Sequence, residues 1–171
     1  MLMKPSAIKR QLNQQIIDAS WMGQDVKVQD ALLQAADVNA RDKEHQETPL
    51  MLAAERGLIS IVKILIENGA STDNQDMYGR TALIHAASAG KSMVARLLIE
   101  AGSDVNVTDK YGVPVLSYAV ESGDLLTVRT LIDAGVEVNA MDQDGETALA
   151  IAKRNADSAI VNLINTASSI S

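Results

Sequence analysis

The sequence predicts an all-α solenoid, a stack of helix-turn-helix units joined by short β-hairpin-like loops. Two observations predict it. Thr48, Thr81, Pro114 and Thr147 stand 33 residues apart, and the same step relates Ala53, Ala86, Ala119 and Ala152, then Gly57, Gly90, Gly123 and Ala156, then Gly69, Gly102 and Gly135. A period of that length marks a tandem array of one supersecondary unit that cannot bury its apolar faces alone. The second observation is composition: 47% of the residues are hydrophobic, yet only 2% are aromatic and Phe is absent. Leu, Ile, Val and Ala must therefore do the packing, which suits thin layers of close-packed helices better than one thick core.

The elements follow in order along one unit, residues 76–108. Asp76, with Gly79 three residues on, is a turn signal, because the carboxylate accepts backbone N–H bonds and glycine tolerates positive φ. Thr81 offers a hydroxyl to the free N–H groups of a new inner helix. Ala82, Leu83, Ala86 and Ala87 give that helix a small-residue face, and Gly90 stops it. Val94, Leu97 and Leu98 carry the helical spacing of an outer helix, which Gly102 ends as a C-cap. Asp104, Val105 and Asn106 lead out as an extended arm towards the next turn. Alanine at 53, 86, 119 and 152 lets successive inner helices approach closely, and Leu50, Leu83, Leu116 and Leu149 fill the layer between them.

This pattern resembles the ankyrin repeat. Thr48-Pro49-Leu50 and Thr81-Ala82-Leu83 match the opening motif of that family, and Ala53-Ala54 and Ala86-Ala87 match its alanine pair. Residues 61–70 and 94–103 match its outer helix and cap. The resemblance covers roughly residues 13–167. The histidine of the opening motif is missing, since Met51, Ile84, Ser117 and Ala150 stand there, so the inter-repeat hydrogen bonds attributed to it are expected to be absent or replaced. His85 sits one place later, in line with Leu52, Tyr118 and Ile151, and is expected to be packed or half-buried.

Five units are expected. Residues 13–40 form an N-terminal capping repeat, 41–74, 75–107 and 108–140 form three full repeats, and 141–167 form a C-terminal capping repeat, all within one structural domain. Residues 1–12 are a tail or an extension of the first helix, and 168–171 a fraying tail. The first hairpin tip, residues 40–47, carries one extra residue and no glycine, so its turn should differ. Pro114 replaces the capping threonine, which suits the start of a helix but removes the hydroxyl; the fourth inner helix should be the least well capped, at about 1 kcal/mol. Asn162, Asn165 and Thr166 place polar groups on the final outer face.

The net charge of −7 leaves no basic face to neutralise phosphates, so nucleic acid is not an expected partner. No stretch approaches the roughly 18 apolar residues of a membrane span, and residues 1–12 hold no apolar run of signal-peptide length. With no cysteine, disulfides and thiolate chemistry are excluded, which fits a reducing, cytoplasmic location. No catalytic residue, cofactor or metal site is expected. His45 and His85 stand 40 residues apart, no phosphate-binding glycine loop occurs, and the acidic run Asp142–Glu146 lacks the ligand series of a calcium loop. The recurring Asp42, Asp76, Asp109 and Asp142 are explained by their turns.

The resemblance implies a non-catalytic scaffold that binds a partner protein through its hairpin tips and the exposed side of its inner helices. An accessory subunit that stabilises or inhibits an enzyme is an alternative, and an enzyme with an unrecognised site a remote one. The informative residues are those that vary between units on that surface. The tips contribute Met77, Tyr78 and Arg80, then Lys110 and Tyr111; the inner-helix ends contribute Trp21 and Met22, then Glu121. Tyr78 and Tyr111 occupy equivalent sites on adjacent tips and should lie side by side. Trp and Tyr are common anchors of binding hot spots, against which stands simple packing of the tips on each other, or capping of the first layer by Trp21. The end units look capped, which favours a monomer.

Overall fold

The structure is a computed structural model, which describes residues 4–169. Among these residues there are ten α-helices and no named strand. Inner helices α1 (Pro5–Met22), α3 (Pro49–Arg56), α5 (Ala82–Ser88), α7 (Val115–Ser122) and α9 (Ala148–Arg154) alternate along the chain with outer helices α2 (Asp25–Leu33), α4 (Ile59–Glu67), α6 (Ser92–Glu100), α8 (Leu125–Asp133) and α10 (Ser158–Ser168). Each inner helix packs on the next inner helix and each outer helix on the next outer one. The result is two parallel layers with the apolar core between them.

The repeated residues sit where the 33-residue step requires. Ala53, Ala86, Ala119 and Ala152 are fully buried between inner helices, and Leu50, Leu83 and Leu116 fill the interlayer space. Leu149, in the fifth unit, is only partly buried. On the last outer helix Asn162, Asn165 and Thr166 face solvent. Residues 5–12 belong to α1, with Leu12 already buried. Ser168 ends α10, and the rest of the expected C-terminal tail, residues 170–171, lies outside the described residues, as do residues 1–3.

Helix starts depart from the sequence expectation at one place. The Thr48 and Thr147 hydroxyls accept from Met51 N and Ala150 N at 3.4 and 3.2 Å. Pro114 gives no side-chain cap, as anticipated, but neither does Thr81. Its hydroxyl is buried without a hydrogen-bond partner. The fourth inner helix is therefore not alone in lacking a cap.

Two units enter the left-handed backbone at a helix end without glycine. Ala156 takes φ 56° at the end of α9 and Ala35 takes φ 65° after α2, where the other units place Gly57 or Gly69 and their equivalents. A Cβ in that region costs roughly 1 kcal/mol. Both substitutions fall in the terminal units.

The arms between units are tied by asparagine. Asn39 Oδ1 accepts from Ser71 N at 2.9 Å, and Asn106 Oδ1 from Glu137 N at 2.8 Å. Each bond spans one repeat, so it fixes the spacing of neighbouring tips as well as the arm itself.

Candidate functional site

The hairpin tips are built on their aspartates. Asp76 Oδ1 accepts from Tyr78 N and Arg80 N at 2.8 and 2.9 Å. Asp109 does the same with Tyr111 N and Val113 N, and Asp142 with Asp144 N and Glu146 N. In the first tip the extra residue shifts the pattern: Asp42 Oδ1 accepts from His45 N and Glu47 N. Gln46 supplies the positive φ, 61°, that glycine supplies elsewhere. Arg41 then clamps this tip to the next by donating to Gln46 O and Gln75 O. The altered turn anticipated from the inserted residue is thus present.

The second carboxylate oxygen finds the residue nine places on. His85 Nε2 lies 3.1 Å from Asp76 Oδ2, and the Tyr118 hydroxyl donates to Asp109 Oδ2 at 2.8 Å. Leu52 and Ile151 cannot do this in the flanking units. The family-type histidine position holds no such bond: Ile84 and Ala150 have nothing to offer, and the Ser117 hydroxyl is buried without a partner. In the third and fourth units the residue one place later ties tip to helix within the unit instead. Burial and the Asp109 carboxylate push the Tyr118 phenol up to about 12.

Electrostatics around Asp76 are settled by its donors. Burial opposes ionisation, but the backbone N–H groups of Arg80 and Tyr78, with the Arg80 guanidinium at 2.9 Å, hold its carboxyl below the ordinary range. His85 is 3% exposed; burial, then the nearby Arg80 charge, lowers its pKa and keeps the ring neutral. With Asp76 ionised, His85 Nε2 carries the proton and donates it to Oδ2.

Adjacent tips are joined through their backbones. Met77 N donates to His45 O and Lys110 N to Tyr78 O, each at 2.9 Å. The two tip tyrosines share one cation. Lys110 Nζ lies between them, 4.6 Å from the Tyr78 ring centroid and 5.0 Å from that of Tyr111. The other sides of Tyr78 meet the Arg80 guanidinium at 4.9 Å and the His45 ring at 6.2 Å.

Beside these tips the ends of α1, α3 and α5 form a groove of about 400 Å³. Trp21 forms one wall, 41% exposed, with the Arg56 guanidinium 4.9 Å from its ring. Tyr78 and Arg80 form another, and Asp42, Glu44, Glu47 and Glu55 supply four carboxyl groups. A smaller depression continues past Trp21 to Met22, Asp18 and Lys43. Burial, then the Asp42 and Glu55 carboxylates, raises the Glu47 pKa.

Of the eight residues singled out in the sequence, the structure brings Trp21, Tyr78 and Arg80 into this groove and Met22 to its edge. Met77, Lys110 and Tyr111 continue the surface along the tips, with Met77 and Tyr111 exposed. Glu121 lies apart. It pairs with Arg154 at 2.6 Å, and Arg154 also pairs with Glu146, so this glutamate ties the fourth unit to the fifth. Sequence reasoning missed the convergence of His45, Glu47, Glu55 and His85. The repeated Asp-to-His and Asp-to-Tyr spacing of nine residues was the available signal for part of it.

Comparison with known proteins gives two matches to ankyrin repeats, over residues 16–109 and 116–164. The chain belongs to the ankyrin repeat family. A curated relative is similar over one stretch: the glycerophosphocholine phosphodiesterase gde1 of Schizosaccharomyces pombe is 51% identical over 47 residues, which is 28% of this chain and 4% of that protein. The chain therefore matches only a small fraction of that relative's length, and the likeness is one of ankyrin repeats. Among the described residues no helix is long and apolar enough to cross a membrane.

Proposed function

We propose that this ankyrin repeat chain is a non-catalytic scaffold that binds a protein partner along its tips and inner-helix ends. The observation that carries the reading is the groove in which Trp21 and Tyr78 stand beside four carboxyl groups. Exposed aromatic side chains bury large area at low entropic cost. The carboxylates favour a partner segment bearing Lys or Arg, with association rates that fall as salt rises. The rigidity needed for such recognition comes from the tip-to-tip backbone bonds and the Asp-anchored turns. The repeats match both parts of the chain and are a fold used for many binding tasks, so the partner's identity has to come from experiment.

The test is affinity purification from the native organism, comparing the wild-type chain with a Trp21→Ala, Tyr78→Ala, Tyr111→Ala variant of unchanged helicity. The reading expects a partner enriched on the wild type, with binding at least about tenfold weaker for the variant, since each hot-spot aromatic contributes on the order of 1–2 kcal/mol. Equal affinity for both chains would remove these residues from the binding face.

A further inference from the structure

The two histidines of the chain, 40 residues apart in sequence, are brought to one glutamate. His45 Nδ1 lies 3.8 Å from Glu47 Oε2, and His85 Nε2 lies 3.8 Å from Glu47 Oε1. On the other edge of its ring, His85 Nδ1 faces Glu55 Oε2 at 3.8 Å. We propose that His45, Glu47, Glu55 and His85 form a site for one divalent cation of the zinc class, at the junction of the first tip with the second and third repeats.

Three observations support it. The first is the state of His85. Its Nε2–H is committed to Asp76 Oδ2 at 3.1 Å, so Nδ1 bears a lone pair on a side chain only 3% exposed, and no hydrogen bond reaches it. A lone pair facing a carboxylate oxygen at 3.8 Å calls for a bridging donor or a cation between them. A carboxylate behind the distal ring nitrogen is also how metal-binding imidazoles are oriented and made more basic.

The second is spacing. One ligand atom each from Glu47, Glu55 and His85 lie within 4.8 Å of one another, and the same holds for Asp42, His45 and Glu47. Zn–N and Zn–O bonds of about 2.0–2.2 Å set tetrahedral ligand atoms about 3.3–3.6 Å apart. Within the Glu47, Glu55 and His85 set, small side-chain torsions close that difference, and His45 joins it through Glu47, the residue common to both sets. Mixed imidazole and carboxylate donors suit zinc rather than calcium or magnesium, which take oxygen donors throughout.

The third is charge. Glu47 and Glu55 converge with Asp42 on one groove. The nearest guanidinium, Arg80, is engaged by Asp76 at 2.9 Å through both Nε and a terminal nitrogen. The ion's role would be structural, tying the glycine-free first tip to two inner helices.

The experiment uses the full chain, stripped of metal by chelation and titrated with Zn²⁺ alone, followed by calorimetry and by NMR of the imidazole signals. The expected result is one ion per chain, with both histidine signals shifting together. Glu55→Gln and His45→Gln should each weaken affinity at least about tenfold while circular dichroism stays unchanged; Asp144→Asn, on a distant tip, should have no effect. His85→Gln is less informative because its site is buried, so the two exposed variants decide the matter. The absence of saturable binding, a shift of His45 alone, or undiminished affinity in Glu55→Gln would overturn the site. No partner protein is involved, so failure here leaves the protein-binding reading standing.

Discussion

At the scale of single residues, the turn aspartates decide how firmly each tip is held. Asp76 and Asp109 are each held by two backbone N–H groups and by a side chain nine residues on, and Asp76 also by the Arg80 guanidinium. Tyr118→Phe deletes the side-chain anchor of Asp109 alone. It should cost about 1.5–3 kcal/mol, the range for a hydrogen bond to a charged acceptor, read as a lower midpoint in urea. Glu47 makes the opposite prediction. Its folded pKa is raised, so the folded state binds the proton more tightly than the unfolded one. Ionised Glu47 therefore weakens the fold, and the penalty appears as pH rises through about 4.3 to the folded value. Measured in chelator at pH 7, Glu47→Gln should melt higher than the parent. The difference should close as pH falls towards 4. His85 works the other way, because burial and Arg80 lower its pKa; its contribution is full above about 6.5 and declines as pH falls below. Both chains keep His85, so its titration is common to the two melts apart from its contact with Glu47 at 3.8 Å.

At the scale of elements, the helices were legible and the tips only partly so. Repeated Leu, Ala and Gly have local, periodic causes, and they placed the inner and outer helices correctly. The Thr81 hydroxyl was expected to cap α5 and does not, because its equivalence with Thr48 and Thr147 says nothing about the rotamer that packing allows. The convergence of His45 and His85 was illegible because it is made across two units by stacking, whereas motif spacing reads only along the chain. Glycine at the tips shows the same division. Gly79 and Gly145 share φ 78°, yet a Cβ on Gly79 would stand 2.6 Å from Lys110 N, while one on Gly145 would meet nothing within 4 Å. Gly145→Ala should cost about 1–2 kcal/mol for the left-handed backbone alone. Gly79→Ala should cost about 1–3 kcal/mol more, since backbone of the next tip must move; paired thermal melts compare them directly.

At the scale of the whole molecule, stacking produces a division of labour. The outer helices form one layer that ends in polar caps, and the tips with the inner-helix ends form the other surface. Arg41, Asn39, Asn106 and the tip-to-tip amide bonds lock neighbouring units in register, so a partner would meet a surface already set in place. Trp21, Tyr78, Lys110 and Tyr111 then form a continuous aromatic and charged strip that the repeat pattern itself does not require. The most direct measurement of this claim is amide hydrogen exchange on the chain with and without the recovered partner. The account predicts added protection in residues 41–47, 76–80 and 109–113 and at the C-terminal end of α1, with little change in α4, α6 and α8. Protection concentrated on those outer helices, with the tips unchanged, would contradict it.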